Sequence, residues 1–226
     1  LSKYSWFNLG GPAELFYRPE NKEQLKNFLK EVSKQDTSIN ILGAGSNTLI
    51  RDTGVKGIII KLSSKFSNMK LIEKNIIEVG AAALDKNVAN FAKDNGIAGM
   101  EFLSCIPGSI GGAVIMNSGC YDNDISKILI SVKAIDLNKL KEIEIKKQDI
   151  KFFYRGTNLP KDLIIISAKL QGVIEEKSKI EKKQNNLIEK KKISQPSQIK
   201  TCGSTFKNIS KNKKAWMLIK EAGCEN

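Results

Sequence analysis

The sequence predicts an α+β protein in which strand-and-helix units succeed one another along the chain. Three observations lead there. Apolar runs such as GIIIKL and DLIIISAKL stop at strand length. Between them lie stretches whose apolar residues recur at helical spacing. Several strands also run straight into glycine-rich loops. At 226 residues the chain is long enough for more than one buried core.

In order, AELFYR reads as a strand and residues 21–34 as a helix. Leu25, Phe28, Leu29 and Val32 fall at i, i+3, i+4 and i+7, one apolar face. Pro19 marks the entry and Asn21 is the expected N-cap. The strand INIL runs into GAGSNTLIRD, and GIIIKL follows turn residues Gly54 and Gly57, closing a β-α-β-β unit near residue 66. A second unit opens with the strand IIEVGA and the helix DKNVANFAKDNG. Asp85 is its expected N-cap, Gly96 lies just past its end, and Val88, Phe91 and Ala92 give its apolar face. The glycine-rich passage SCIPGSIGGAVIMNSGCY comes next, then strands near KILISVKAID, FFYR and DLIIISAKL. Residues 174–193 are rich in Lys and Glu. Their apolar stripe (Ile174, Ile180, Leu187, Ile188) is thin, as in a solvated linking helix. After it SQPSQIKTCGSTFKN opens a third region, where Trp216, Met217, Leu218 and Ile219 read as one core helix. The segments expected as structural units are 1–68, 69–173 and 174–226.

Composition excludes several functions. Apolar residues make up 41% and charged residues 27%, which rules out disorder and collagen-like repeats. No apolar run approaches the roughly 18 residues of a membrane helix. The chain has no histidine, so Ser-His-Asp and Cys-His nucleophiles and His-ligated metals are out. Cys105, Cys120, Cys202 and Cys224 form no CxxC pair, so no metal site is expected. Free thiols and an N-terminus without a signal-peptide core give cytoplasmic as the expected location. The formal charge is +13, yet only Arg18, Arg51 and Arg155 among the 37 basic residues are arginine. A lysine-only excess fits a general compositional bias better than a nucleic-acid reader, which leans on Arg forks. Residues 171–226, with 13 lysines and 6 acids, still hold a disproportionate share of that charge.

Four constellations can carry chemistry. Gly43, Ala44, Gly45, Ser46 and Asn47 directly follow a strand. Glycines let successive N–H groups turn toward one anion, and Ser46 and Asn47 add side-chain donors. The segment is not a dinucleotide fingerprint, because Thr48 stands where the third glycine belongs, and it lacks the P-loop ending. Alone, it is a turn or a ligand loop. Ile106 to Ala113 holds Gly108, Gly111 and Gly112 with Pro107 and Ser109, more than a hairpin needs, and its backbone could press on a flat or phosphorylated ligand. Two such loops on separate units suggest a dinucleotide between them by a non-Rossmann route. Arg155, beside Tyr154 at the end of FFYR, suits a planar bidentate partner such as a carboxylate; the bland alternative is a surface arginine. In GSTFKN, Ser204 lacks a base to make it a nucleophile, but its hydroxyl can protonate a carbanion, while Lys207 and Asn208 can hold a phosphate. A plain turn or N-cap serine remains the alternative.

Together these stretches resemble the flavoprotein UDP-N-acetylenolpyruvoylglucosamine reductases of bacterial cell-wall synthesis. NLGGPA, LGAGSNTLIRDTGVKGIII, EVGA, GIAGMEFLSCIPGSIGGAVIMNSGCY, FFYR and QPSQIKTCGSTFKN run in the family's order over nearly the whole chain. The resemblance implies a two-part FAD-binding domain of the vanillyl-alcohol oxidase type, residues 1–68 and 69–173, with 174–226 the linking helix and an incomplete substrate-binding domain. It implies bound FAD, NADPH as hydride donor and a UDP-sugar substrate, in a monomer without nucleic-acid or membrane partners. Gly43 to Asn47 look like the pyrophosphate loop, and Pro107, Gly108, Ser109, Gly111, Gly112 and Ala113 like the second flavin loop. Arg155 is similar to the catalytic arginine, Tyr154 to its substrate-touching neighbour and Ser204 to the proton donor. Asn208 and, more loosely, Lys192 match diphosphate-receiving positions.

Three departures stand out. Cys105 replaces a usual glycine, and the Arg155–Ser204 spacing favours the family's shorter second subclass. The family's C-terminal catalytic glutamate has no counterpart before Asn226, so a truncated chain is expected; neither Glu221 nor Glu225 has the right context. The competing readings are a related flavin oxidoreductase with another substrate, a non-catalytic flavin-binding remnant, and a basic nucleic-acid binder. GSTFKN and QPS oppose the first, and the lack of aromatic-basic interleaving opposes the last.

Overall fold

A computed structural model describes residues 1–195, 206–209 and 213–224. The chain starts with β1 (Ala13–Tyr17), α1 (Lys22–Val32), β2 (Ile39–Ile41) and β3 (Val55–Ile60). These strands form a parallel sheet in the order β1-β3-β2. Parallel neighbours cannot be joined by a tight turn. α1 makes one crossover and the long segment 42–54 makes the next, so the first glycine motif lies in a connection the topology requires. Asn21 caps α1 as expected, its Oδ1 accepting from the Gln24 amide at 2.8 Å. Leu25, Leu29 and Val32 are buried, while Phe28 stacks on Tyr17 with ring centroids 3.8 Å apart.

The second unit begins with the hairpin of β4 (Met69–Glu73) and β5 (Ile76–Gly80), then α2 (Asp85–Asp94) and β6 (Ile97–Ala98). A 3-10 turn over Glu101–Cys105 leads through the glycine-rich loop into α3 (Ile110–Ile115), β7 (Gly119–Cys120), β8 (Asn123–Asp124) and α4 (Ile125–Ile128). After these come β9 (Leu129–Asp136), β10 (Lys141–Lys146), β11 (Phe152–Phe153), β12 (Gly156–Thr157), β13 (Leu163–Gln171) and β14 (Val173–Ile174). β10, β9, β13, β5 and β4 make an antiparallel sheet in that order. Alternation along β13 serves both units. Ile165, Ala168 and Leu170 join the cluster under α2 and α3, whereas Ile164 and Ile166 pack with Leu25, Leu29, Ile58 and Ile60. The parallel sheet therefore shares a core with the antiparallel one.

Several sequence expectations change. β4 and β10 were not anticipated, and KILI begins as the turn of α4 rather than as strand. These two strands lie at sheet edges, where one polar face suffices and the apolar run is short. Leu84, not Asp85, occupies the N-cap of α2; Asp85 is its first helical residue and is fully buried. Gly96, at φ 67°, follows that helix as expected. The linking helix is α5 (Lys177–Ser194), and it is not merely solvated. Ile180 and Gln184 are buried, and Gln184 donates to Asn90 of α2 at 2.8 Å. Ile174 belongs to β14, paired with Ile97. α6 (Ala215–Glu221) forms as a helix but buries no residue, contrary to its reading as a core helix; Trp216 is 57% exposed.

Candidate functional site

The two predicted glycine loops meet. A Cβ added to Gly43 would lie 2.8 Å from Ser109 Oγ, so the first loop touches the second at its serine. The first loop is tied down from the N-terminal segment. The Trp6 amide donates to the Gly45 carbonyl at 3.0 Å, and a Cβ on Gly45 (φ 75°) would strike the Tyr4 carbonyl oxygen at 1.9 Å. Lys61 Nζ donates to the Gly43 carbonyl oxygen. Burial, with Arg18 nearby, holds the Lys61 ammonium below its ordinary pKa. Ala44 and Lys61 line a cavity of about 370 Å³ with Tyr4, Trp6 and Asn8.

The second loop is stitched to the residues after β5. The Ile110 amide donates to Ala83 O at 3.0 Å, Gly111 N to Ala81 O at 2.9 Å and Asp85 N to Gly108 O at 3.1 Å. Gly111 is needed for this approach, since its Cβ would sit 3.2 Å from that of Ala81. Ala113 points into the core, whereas Pro107 and Gly112 are exposed. Ser46 is half-buried and Asn47 exposed at the first loop. The loops thus form a wall stitched by backbone bonds, with Asn47, Pro107 and Gly112 exposed on it and Gly43, Gly45, Gly108 and Gly111 allowing close packing on protein.

Beneath that wall lies a buried acid. Neither Asp85 oxygen has a hydrogen-bond partner, and a Cβ on Gly108 would come within 2.4 Å of Oδ2. Burial alone pushes the carboxyl pKa up to about 8, because ionising it without a partner is costly. The sequence places this residue at the helix N-cap; the structure buries it one position inside.

Tyr154 and Arg155 do not end a strand. β11 and β12 pair Phe152 with Thr157 and Phe153 with Gly156, leaving Tyr154-Arg155 as a two-residue hairpin loop. Arg155 takes φ 60°, and its guanidinium lies 5.2 Å from the Tyr154 ring centroid. Among the described residues it forms no ion pair. The hairpin is fastened to the helix that follows the second loop. Thr157 Oγ1 donates to Ile115 O at 3.2 Å, and Asn117 Nδ2 to Phe153 O at 3.2 Å. The arginine is thereby positioned from the glycine loop's own helix. The motif MNSG contained Asn117, but a buried asparagine at φ 41° bridging two segments was not anticipated.

The remaining candidates are not brought together. Exposed Lys192 pairs with Glu189 at 2.7 Å on its own helix, and the adjacent Lys191 donates to the Cys105 carbonyl at 2.6 Å. Asn208 Oδ1 accepts from the Ala215 amide at 3.1 Å, at the start of α6. Ser204 lies outside the described residues. Among the described residues no group of His, Cys, Asp and Glu could hold a metal ion, and no helix is long and apolar enough to cross a membrane. A larger depression of about 1260 Å³, running past Ser131, Glu144 and Lys169, includes none of the predicted residues.

Comparison with known proteins is consistent across methods. Residues 13–139 match the family described as FAD binding domain. The UDP-N-acetylenolpyruvoylglucosamine reductase of Pelagibacter ubique is 44% identical over 224 residues, covering 98% of this chain and 74% of that protein. The reductase of that name from Rickettsia felis is 41% identical over 223 residues, covering 99% and 74%. The crystal structure of UDP-N-acetylenolpyruvylglucosamine reductase from Thermus caldophilus superposes with a TM-score of 0.85 at 29% identity, covering 98% of this chain and 77% of that one.

Proposed function

The chain belongs to the family of UDP-N-acetylenolpyruvoylglucosamine reductases, and on that premise we propose that it reduces UDP-N-acetylglucosamine enolpyruvate to UDP-N-acetylmuramate. FAD is the bound cofactor and NADPH the hydride donor, and the reaction serves peptidoglycan precursor synthesis in the cytoplasm. Residues 1–68 and 69–173 are the two halves of the flavin domain, working as a monomer.

The residues present fit the flavin. Two glycine loops abut at Gly43 and Ser109, and Asn47, Pro107 and Gly112 are exposed along them, where a pyrophosphate or ring could approach closely. Gly43 to Asn47 would hold the diphosphate, with Ser46 and Asn47 as donors. Pro107, Gly108, Ser109, Gly111 and Gly112 would border the ring, with Ala113 offering only its backbone because its methyl packs in the core. When bound, the flavin supplies a hydride to the vinyl CH2 of the substrate.

The chain's own residues manage the charge that results. The carbon next to the carboxylate becomes a carbanion, stable only as an enediolate with charge on two oxygens. A guanidinium fork matches both, and Arg155 would provide it; such a donor is worth about two to three orders of magnitude in rate. Tyr154, with its ring exposed beside that guanidinium, meets the substrate's edge. Ser204 Oγ delivers the proton to that carbon, and Asn208 and Lys192 receive the UDP diphosphate.

The observation that supports the reading most is the hairpin of Arg155 pinned, through Asn117, to the helix leading out of the second glycine loop. The test is the visible spectrum of the protein reconstituted with FAD, before and after anaerobic NADPH. A two-band yellow spectrum that bleaches, and returns on adding the enolpyruvyl sugar, is expected. Ser204→Ala should bleach normally and fail to turn over. A colourless protein that takes up no FAD would overturn the proposal.

A further inference from the structure

One face of the antiparallel sheet is covered at one end and open at the other. Ile135 and Ile164 pack with the apolar face of α1, whereas Ser131 of β9, Lys169 of β13 and Glu144 and Lys146 of β10 line the depression of about 1260 Å³. Strand register sets this grouping. Ser131 stands opposite Lys146 on one side and Lys169 on the other, so the three form a row across β10, β9 and β13. Glu144, two positions before Lys146, shares its face. The buried Ser131 hydroxyl donates to Glu144 Oε1 at 2.7 Å, and Lys169 Nζ donates to the same oxygen at 3.0 Å. Ser131 first and Lys169 next hold the Glu144 carboxyl below the ordinary carboxylate range. Both bonds fall on Oε1, and Oε2 accepts none from the described residues. Lys147, in the turn after β10, and Lys127 of α4 complete a basic rim with Lys146. Among the described residues none of these three lysines has an acid partner; Lys127 Nζ donates to the Asp122 carbonyl oxygen. Asp149, in the same turn as Lys147, does not line the depression.

We infer that this depression is a further nucleotide site, which takes a nucleoside diphosphate with its phosphates on Lys146, Lys147 and Lys127 and its ribose diol on Glu144. Lysine ammonium groups receive phosphate as point charges, and three on one rim match the charge of a diphosphate. A carboxylate oxygen inside that rim repels a bare anion. It suits a ligand whose hydroxyls donate to it, because an ionised carboxylate only accepts. The serine and lysine on Oε1 fix the carboxylate in place and leave Oε2 for that pair of hydroxyls. Pockets for small ligands run about 300–1,000 Å³, so there is room for the whole nucleotide rather than a phosphate alone. A general lysine excess accounts for the number of lysines, but not for a half-satisfied carboxylate held by a buried serine among them. The lining includes none of the residues assigned to the flavin or the sugar substrate, so binding here goes beyond the proposed reaction.

The test is isothermal titration calorimetry of the full chain with ADP, with FAD in excess so that the flavin site does not take the probe. Saturable binding is expected, and Lys146→Gln combined with Lys147→Gln should weaken it about tenfold or more. Both side chains are exposed, so the melting temperature should not change; Lys147→Gln alone, outside any strand, should give part of the loss. Glu144→Gln separates a nucleotide from a bare anion. It should weaken ADP about threefold or more while tightening pyrophosphate, because a like charge leaves the site. No saturable binding up to about 1 mM, or equal ADP binding by the double-lysine variant, overturns the proposal. Tightening of both probes by Glu144→Gln also overturns it, and would mark an adventitious ion only. If the chain takes up no flavin, the effects of the lysine and Glu144 substitutions on ADP still read this site alone.

Discussion

Asn117 donates to the carbonyl of Phe153 at 3.2 Å while its Oδ1 accepts from the Ser126 amide at 3.0 Å. One buried amide thus joins the end of the glycine-loop helix to the hairpin that carries Arg155. Asn117→Ala removes both bonds and forces alanine to φ 41°, whereas Asn117→Gly removes the bonds but tolerates the backbone. Both variants should lose about ten- to a hundred-fold in kcat with FAD affinity nearly unchanged, and the glycine variant should be the more stable. Full turnover in Asn117→Gly would show that the bridge does not position the arginine.

Arg155→Lys keeps a positive charge and loses the fork. Steady-state kinetics with NADPH and the enolpyruvyl sugar should show kcat lower by about two to three orders of magnitude, with flavin reduction by NADPH intact. A variant within about threefold of the parent enzyme would remove Arg155 from the chemistry.

Gly43→Ala drives a methyl to 2.8 Å from Ser109 Oγ and should push the loops apart. FAD affinity, read by quenching of flavin fluorescence, should fall about tenfold or more, an energy of about 1.4 kcal/mol. Adding Ser109→Ala should recover part of it, because the offending atom is then gone. No recovery would mean the two loops do not compete for that space.

Asp85 carries a pH signature. Its folded pKa of about 8 lies above the ordinary aspartate value of 3.8, so the unfolded chain ionises first as pH rises. Its contribution to stability is complete below about pH 4 and is lost as pH climbs through 8. Asp85→Asn has no proton to lose. Urea midpoints should favour the variant increasingly from pH 5 to 8, with little gap at pH 4. Parallel curves would show that the carboxyl is partnered in solution.

Glu78 acts in the opposite sense. Lys70 at 2.9 Å and Lys133 at 3.0 Å hold its pKa down to about 2, from 4.5. The stability it gives is present above about pH 4.5 and lost as pH falls toward 2. Glu78→Gln should cost about 1 kcal/mol at pH 7, since water and salt screen the cluster, and nothing near pH 2. Thermal melts across that range measure the difference.

The sequence by itself determined what local physics encodes. The buried face of α1 and its Asn21 cap follow from spacing and a nearby donor, and both glycine loops follow from residues that accept backbones and close approaches others cannot. The flavin-binding family was legible in the same loops. The tertiary structure decided what depends on partners far along the chain. It tied Lys191 to a carbonyl 86 positions away, and it joined the hairpin of Arg155 to Asn117, 36 positions from Phe153. It also turned Asp85 from an apparent cap into a buried acid, because the loop at Gly108 closes over it. Burial and hydrogen-bond geometry depend on which segments meet, and a local pattern carries no record of that.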